Sequence, residues 1–483
     1  MFLRLSAVAV LCLTSSPAGA VPATPEGAAR VEAALRTYFG PLDGVVEVVP
    51  EGETYALTLD ATPVIALGKE AGITGAVSPF HLTLTDLGDG KWSVAEEEPF
   101  ALTLDVSGVL SLDASAGATR FTGIFDEALL AFTSSEAGYE DFRVKERFTE
   151  PGRPETVVDY RIDRFDVTTS AAAAPGGGVD GTMRYAATGL SEIISVAAGE
   201  GLSEPMQFEV SAAQYDVETT TNGLRTEGIL GLIAWLVAHP SEEAVRADFD
   251  GLKDAIRAAL PFWNSLTGTG EIQDIDVTTP FGAGGAESMS IAVDFNGVVA
   301  DGRLRETVAI KGLDLPEALM PDWVPALLPD EVTFDVAASG FDLATPAQIL
   351  LDEIALDTEP APDMPARLVG ALLPAGKVNI ALGPQGAASP IYTLDIEGAL
   401  DAGPGQMPVG SVTIGATGIE AVLEALAAAP EDVRAGAVPG LMMMRGIAKP
   451  AGVGRFVWVV EMTPDGKVLV NGLDMSALMA GQQ

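Results

Sequence analysis

Carboxylates are plentiful in this sequence, with 68 Asp and Glu residues among 483. Two local pairs could do chemistry, Asp86 with Asp89 in DLGDG and Asp274 with Asp276 in IQDIDV. Paired acids bind calcium or catalyse glycoside hydrolysis. The first pair lies in a predicted hairpin turn, where Asp and Gly are expected, and alternation places the second pair on one solvated strand face. We therefore expect structural roles for both pairs, with a carboxylate-dependent hydrolase as the alternative function.

Histidine and serine chemistry has little support in the sequence. The two histidines are His81, in the alternating stretch HLTLTDL, and His239, which precedes Pro240 at a predicted helix end. Neither belongs to an HExxH zinc motif, and the chain has no GxSxG nucleophile motif and no phosphate-binding P-loop. We predict no catalytic residue, no metal ligand and no cofactor, and hence a non-enzymatic protein.

Apolar segments are the remaining candidates for a binding role. ILGLIAWLVA is the longest apolar run, GLMMMRGIA carries three adjacent and adaptable methionines, and RFVWVVEM predicts a strand that is apolar, and therefore covered, on both faces. One interpretation is a helix packed on a sheet. The other is a groove for an acyl chain or another apolar ligand, whose contacts would be Trp235, Met442, Met443, Met444 and Trp458.

The first twenty residues have the pattern of a secretory signal peptide. Arg4 precedes the apolar run LSAVAVLCL, and Ala18–Ala20 forms a small-residue cleavage site. We predict cleavage after Ala20 and export to the periplasm. A lipoprotein anchor on Cys12 is the alternative, although Leu11 is bulky where a small residue is expected. Because Cys12 is the only cysteine, the mature chain has no disulfide and must rely on a buried core.

The charge of the chain restricts its partners. The formal net charge is -41, so nucleic acid and anionic lipid headgroups would be repelled. The mean hydropathy is nevertheless +0.28, which implies a large core or apolar surface kept for a ligand. No segment after residue 20 is long enough for a transmembrane helix, which needs about 20 apolar residues. The expected partner is a lipid or an envelope protein, and the oligomeric state is left open.

Helix and strand signals predict a β-rich fold. TPEGAARVEAALRTYFG should form a helix capped by Thr24 and stopped by Gly40. Alternating stretches separated by turn residues then continue for nearly two hundred residues, which is typical of an antiparallel meander. In VVDYRIDRFDV the apolar phase shifts between Ile162 and Phe165, and this predicts a bulge.

A short motif recurs where predicted strands end. It consists of a polar residue, Gly, a large apolar residue and usually an acid. Gly permits a positive φ, and an acid suits the start of a following helix; Thr417 with Glu420 predicts a capping box. The helical stretches GILGLIAWLVAHP and GIEAVLEALAAAP also match, so we predict a degenerate internal duplication. Copies of the motif begin at Thr188, Asn222, Lys311, Ser339, Thr417 and Asn471.

The C-terminal segment GRFVWVVEMTPDGKVLVNGLDMSALM predicts a hairpin with Trp458 buried, followed by a short apolar cap of Leu473, Met475, Leu478 and Met479. Its turn, Asp465-Gly466-Lys467 through Asn471-Gly472, resembles the closing hairpin of uncharacterised β-rich exported proteins of bacterial envelopes. Some of these are similar in architecture to lipid-handling proteins, and the resemblance implies a curved sheet with a hydrophobic groove.

Together these patterns predict an α+β fold with a predominantly antiparallel, twisted β-meander on which amphipathic helices pack. Two lobes are expected after the signal peptide of residues 1–20. Residues 21–221 would hold the first helix and the meander, and residues 222–483 would hold repeated strand-turn-strand-helix units. The predicted function is non-enzymatic binding of an apolar ligand or a protein partner in the cell envelope. A carboxylate-dependent hydrolase and a purely structural assembly scaffold are the alternatives.

Overall fold

The computed structural model describes residues 22–199, 202–316, 320–356 and 358–475. The predicted signal peptide, and Leu478 and Met479 of the predicted apolar cap, lie outside these ranges. Within them, all strands belong to one sheet, and every pair of neighbouring strands is antiparallel. The prediction of a β-rich, mainly antiparallel protein is confirmed.

The first helix forms as its sequence predicts. α1 (Pro25–Phe39) follows Thr24, whose side chain accepts a hydrogen bond from the backbone N–H of Gly27. It ends at Gly40, whose φ of 87° is open to glycine and costly for other residues. Cap and stop are both confirmed.

Short elements then lead into a meander of long strands. The strand β5 pairs with β4 along one half and with β3 along the other, and from β4 onwards consecutive strands lie side by side. The elements of this part are β1 (Val46–Glu51), β2 (Thr54–Leu59), α2 (Thr62–Leu67), β3 (Ile73–Val77), β4 (Phe80–Gly88), β5 (Lys91–Val106), β6 (Leu110–Asp126), β7 (Ala131–Phe148), β8 (Thr156–Ala173), β9 (Val179–Val196) and β10 (Met206–Leu224).

The rest of the chain continues the same sheet and inserts helices between strands. These elements are α3 (Thr226–Ala238), α4 (Glu242–Ala247), α5 (Phe249–Ala259), β11 (Ser265–Thr279), β12 (Gly282–Asn296), β13 (Gly302–Lys311), β14 (Glu331–Phe341), α6 (Ala344–Glu353), α7 (Met364–Leu372), β15 (Val378–Ala388), β16 (Thr393–Ala402), β17 (Val409–Thr417), α8 (Ile419–Leu426), α9 (Glu431–Ile447), β18 (Lys449–Pro450), β19 (Arg455–Met462), β20 (Val468–Val470) and β21 (Leu473–Asp474).

The sheet is continuous across the predicted lobe boundary at residues 221 and 222. Both residues lie within β10, where Thr221 pairs with Leu266 and Asn222 pairs with Ser265 of β11. The division into two lobes therefore stays a prediction, and any such lobes share one sheet.

A line of interrupted pairing crosses the long strands. In β8, Asp163 pairs with neither neighbouring strand, at the position where the sequence predicts a bulge; the register is the same on both sides of it, so the pairing is interrupted there without the extra residue of a bulge. Asp141 in β7, Gly189 in β9 and Asp274 in β11 are unpaired in the same way, and each has a positive φ. The unpaired residues of neighbouring strands lie opposite each other, as Asp141 and Asp163 do. The alternation of side chains shifts by one position at this line, since the rings of Tyr139 and Phe142, three residues apart, are in contact.

The glycines of the recurrent motif all have the predicted backbone conformation. Gly189, Gly223, Gly312, Gly340, Gly418 and Gly472 have φ between 62° and 86°. Five of them lie at or beside the end of a strand, whereas Gly189 lies inside β9 on the line of interrupted pairing. The predicted capping box is wrong. Gly418 itself is the N-cap of α8, and the hydroxyl of Thr417 contacts the Thr393 hydroxyl at 2.7 Å, across the strand pair.

Two clusters of fully buried apolar side chains lie at opposite ends of the strand order. The first joins α1 to β1, β2, β4 and β5 through Ala28, Val46, Tyr55, Leu84 and Trp92. The second joins α8 to the final strands through Ile419, Trp458 and Val470, with side chains of α9 packed against it. The long central strands lie between these two clusters.

Candidate functional site

The residue pairings sort the side chains of the central strands into two faces. One ladder of directly opposed residues runs from β7 to β12: Tyr139, Phe165, Ala187, Tyr215, Ile272 and Met289. A second, beyond the line of interrupted pairing, runs from β7 to β11: Val144, Tyr160, Glu192, Val210 and Val277. The ring of Phe142 contacts Tyr139 in the first ladder and Tyr160 in the second, so both ladders lie on one side of the sheet. We call this side the apolar face and the opposite side the polar face.

An aromatic cluster marks the middle of the apolar face. The ring centroids of Tyr139 and Phe165 are 4.8 Å apart in a stacked arrangement, and those of Tyr139 and Phe142 are 4.9 Å apart. Tyr185 extends the cluster from Phe165 at 6.0 Å, and Tyr160 extends it from Phe142 at 6.5 Å. These spacings are typical of favourable aromatic pairs. The one-residue shift at Asp141 allows Tyr139 and Phe142 to share a face.

The apolar face is open along much of its length. Val210 is 42% exposed, Ile291 is 40% exposed and Phe334 is 49% exposed. Ile291 lies beside Met289 of the first ladder, and Val308 of β13 joins Ile291 to Phe334 of β14. The rings of the aromatic cluster are half-buried. Single exposed apolar residues are common on protein surfaces, but here they recur along one face of one sheet, which makes this face the candidate site.

The environment of the cluster raises the pKa of two of its tyrosines. Burial raises the pKa of Tyr139, and the neighbouring Tyr160 raises it further. Burial also raises the pKa of Tyr160, with a second contribution from the charge of Glu192. Both phenols therefore stay neutral at physiological pH.

The polar face carries ion pairs on the same strands. Arg164 Nε donates to Asp166 Oδ2 at 2.6 Å, and Arg120 donates to Asp166 and, at 3.4 Å, to Glu140. These hydrogen bonds, led by that of Arg164, lower the pKa of Asp166. Pairs of this kind at a surface contribute little stability, but the opposite charges of each pair neutralise each other.

Charge is distributed unequally between the faces. The stretch FRVKERF lies in β7 and has its basic residues on the polar face. On the apolar face of β7 and β9, by contrast, lie the carboxylates of Glu146 and Glu192. The basic residues of β6 to β9 all lie on the polar face, namely Arg120, Arg143, Lys145, Arg147, Arg161, Arg164 and Arg184.

Two of the predicted apolar contact residues meet in the C-terminal cluster. Trp458 is 4% exposed, which confirms its predicted burial, and its indole N–H donates to the backbone oxygen of Met444 at 2.7 Å. The Met444 side chain packs against the same cluster, whereas Met442 and Met443 are exposed on α9. Of the predicted apolar cap, Met475 packs against this cluster, whereas Leu473 is exposed. It belongs to the short strand β21, because Val470 of β20 pairs with it.

Trp235 lies elsewhere, at the end of α3. Its ring stacks on His239 with 3.9 Å between centroids, and its indole N–H donates to Asp248 at 3.1 Å. It lines a depression of about 870 Å³ together with Leu129, Arg225 and other residues.

His239 is at the C-terminal end of the helix, as predicted, and Nε2 is 3.4 Å from Asp248. His81, also as predicted, is a half-exposed strand residue, and Glu98 contacts its ring.

The acid pairs have the structural surroundings that their sequence predicts, with one difference. The Asp86 carboxylate accepts a hydrogen bond from the backbone N–H of Gly88, and Asp89 has a φ of 53°, so both serve a turn. Asp274 and Asp276 are exposed in β11. The predicted alternation fails there, because Asp274 is the skipped residue of that strand.

The aromatic cluster was not predicted from the sequence. Its residues are spread over three strands, and the shift of phase in each strand hides their common face. The signal that was available is the pattern Tyr160, Ile162, Phe165, in which an aromatic residue lies on each side of a predicted bulge. Strand register was needed to bring such patterns together.

Two kinds of feature are missing from the residues that the structure describes. In those ranges, no helix has both the length and the apolar composition needed to cross a bilayer. Nor do three or more His, Cys, Asp or Glu side chains converge there in an arrangement that could hold a metal ion. The chain matches no protein-family model, no curated protein and no solved structure at a significant level.

Proposed function

We propose that this protein binds an apolar ligand, such as a lipid through its acyl chains, on the apolar face of the central strands. The observation that carries the proposal is the exposure of Val210, Ile291 and Phe334 on a face that also carries the aromatic cluster. Burying each exposed aliphatic side chain against an acyl chain would contribute free energy at about 25 cal/mol per Å² of apolar area removed from water.

The proposal places the protein outside the cytoplasm. It includes cleavage after Ala20, a periplasmic location and two lobes meeting at residues 221 and 222, and the sequence patterns described above support these points. The contacts proposed from the sequence, at Trp235, Met442, Met443, Met444 and Trp458, are secondary to the apolar face. Trp458 and Met444 are occupied by packing with each other.

The hydrolase alternative has less support. A catalytic acid needs a raised pKa. In the part of the chain that the structure describes, the carboxyl groups whose pKa departs from its ordinary value all have a lowered pKa, because they accept hydrogen bonds from arginine, lysine, asparagine or hydroxyl donors. The scaffold alternative would use the same apolar face for a protein partner, and it predicts a stoichiometric protein in pull-downs.

Two measurements test the proposal. Solvent extraction of the purified mature protein followed by mass spectrometry should recover a lipid or another apolar molecule. The neutral dye N-phenyl-1-naphthylamine should also bind to the delipidated protein with a rise in fluorescence. Ile291→Asp should weaken dye binding about tenfold, because it places a charge where apolar area would be buried.

The matched control is Ala292→Asp, which introduces the same charge one residue away on the polar face, where Ala292 pairs with Thr269 and Thr307. It should leave dye binding unchanged. An empty protein that binds no dye would refute the proposal, and so would equal dye affinities for the two variants.

A further inference from the structure

Two carboxylates of the apolar face, those of Glu146 and Glu192, lie around one ring of the aromatic cluster. Glu192 of β9 is directly opposite Tyr160 of β8, and residues so paired have Cβ atoms about 4.5–5.5 Å apart. On the other side of Tyr160, Val144 of β7 is its partner. Glu146 is two residues further along β7, opposite Val158, and so is a diagonal neighbour of Tyr160 at about 7–8 Å.

These carboxylates lack a counter-charge within the part of the chain that the structure describes. Among the described residues, neither Glu146 nor Glu192 forms an ion pair, whereas Glu140 and Glu218 on the polar face are paired with arginines. Arg143 and Lys145 flank Glu146 in sequence, but alternation directs them to the opposite face. Electrostatic complementarity on the apolar face therefore calls for a cation from outside the chain.

The rings beside these acids favour the same kind of ligand. A cation over the face of a tyrosine or phenylalanine within about 6 Å is attracted by the ring quadrupole, and aromatic surroundings are the usual means of recognising quaternary ammonium groups. Here Tyr160, Phe142 and Tyr139 form a continuous set of rings next to Glu192. An ammonium group is the cation that suits both the rings and the carboxylates.

We infer that the apolar face selects lipids with an ammonium headgroup, which Glu192, Glu146 and the ring of Tyr160 would hold while the acyl chains lie along the neighbouring aliphatic residues. The inference rests on the proposed function, since it assigns a headgroup to the ligand of the same face. Phosphocholine and phosphoethanolamine lipids fit, because each ends in an ammonium group and has no net charge. An anionic lipid such as a phosphatidylglycerol does not fit, and the net charge of -41 also disfavours it.

Calorimetric titration with short-chain lipids tests the inference. Dihexanoylphosphatidylcholine and dihexanoylphosphatidylglycerol have the same acyl chains, and each is used below its critical micelle concentration. The wild-type protein should bind the choline lipid more tightly. Glu192→Gln should weaken that binding about fivefold, by loss of a partly exposed charge contact, and Tyr160→Leu should weaken it by a similar factor, about fivefold, by loss of the ring. Tyr160→Phe keeps the ring and should retain the affinity.

Asp159→Asn is the matched control. It removes the same charge next to Tyr160 in sequence, but Asp159 lies on the polar face, opposite Lys145 and Ile193. It should leave the affinity unchanged. Circular dichroism and thermal unfolding verify that each variant is folded, and Glu146→Gln serves as the second carboxylate variant if Glu192→Gln does not fold.

The outcomes separate the two proposals. Equal affinity for both lipids, together with no effect of Glu192→Gln, would overturn the headgroup inference and leave binding of acyl chains intact. A protein that binds neither lipid would overturn both. Choline chloride alone should bind more weakly than the lipid; binding as tight as that of the lipid would support the headgroup site and contradict the contribution of the acyl chains.

Discussion

At the scale of single residues, Asp335 is the most deeply buried carboxylate among those with a shifted pKa. It is 4% exposed, and Arg305 Nε donates to Asp335 Oδ1 at 2.9 Å in a bidentate pair. The hydrogen bonds from Arg305 lower the pKa of Asp335 from its ordinary value of 3.8. Gly383 leaves room for this carboxylate, since a Cβ at that position would lie 2.2 Å from Asp335 Oδ2.

We predict that Asp335→Asn lowers the free energy of unfolding by about 1–3 kcal/mol at pH 7, because the buried Asp335 side chain loses its charged hydrogen bonds with the half-exposed Arg305. A lowered folded-state pKa contributes stability that is present above the unfolded value of 3.8 and is lost as the pH falls through the folded value. The difference between variant and wild type should therefore shrink below pH 4. Urea unfolding at a series of pH values measures it.

Asp276→Asn is the control, because Asp276 is an exposed acid on the polar face of the same sheet. It should change the free energy of unfolding by less than about 0.5 kcal/mol. A loss of stability in Asp335→Asn that persists unchanged at low pH would contradict the role of the charge.

Some individual side chains could be predicted and others could not, for a physical reason. Burial of Trp458 followed from a strand that is apolar on both faces, and Thr24 could be recognised as a cap because capping depends on residues only three apart. The aromatic cluster depends on Tyr139, Phe142 and Phe165 meeting across two strands. The hydrogen-bond register between the strands determines which of these residues meet, and a local sequence pattern does not give that register.

At the scale of elements, glycines with a positive φ lie where several strands end. Gly418 has a φ of 74° and serves as the N-cap of α8, and a Cβ there would lie 1.9 Å from the backbone oxygen of Ile391. The positive φ could be predicted from the sequence because only glycine adopts it readily. The prediction that Thr417 caps the helix was wrong, because its hydroxyl instead pairs with Thr393 of the neighbouring strand.

We predict that Gly418→Ala destabilises the protein by about 1–3 kcal/mol or more, through the cost of the left-handed backbone and the contact with the Ile391 oxygen. Gly436→Ala is the matched control. Gly436 lies inside α9 with open space where its Cβ would be, so alanine should be neutral or stabilising by up to about 1 kcal/mol. Urea midpoints of the two variants measure the difference, and equal midpoints would show that the Gly418 conformation is not required.

At the scale of the whole molecule, the strand pairing links the two halves of the chain. The β-rich, mainly antiparallel character was recoverable from alternation and turn residues, because these are local. The extent of the sheet was not, because β10 and β11 are separated by α3, α4 and α5, and only their register shows that they are neighbours. The central strands of this sheet depend on their neighbouring strands for backbone hydrogen bonds.

A cut between residues 221 and 222 should therefore leave two fragments that need each other. Residues 21–221 alone would expose the long edge of β10, and residues 222–483 alone would expose β11, and unpaired edges of this length promote aggregation. We expect each fragment expressed alone to be insoluble or poorly folded. The two expressed together should form a complex whose circular dichroism matches that of the intact chain, because all the strands are then present. Soluble, cooperatively unfolding behaviour of either fragment alone would show instead that the lobes fold independently and that the β10–β11 pairing is secondary to packing within each lobe.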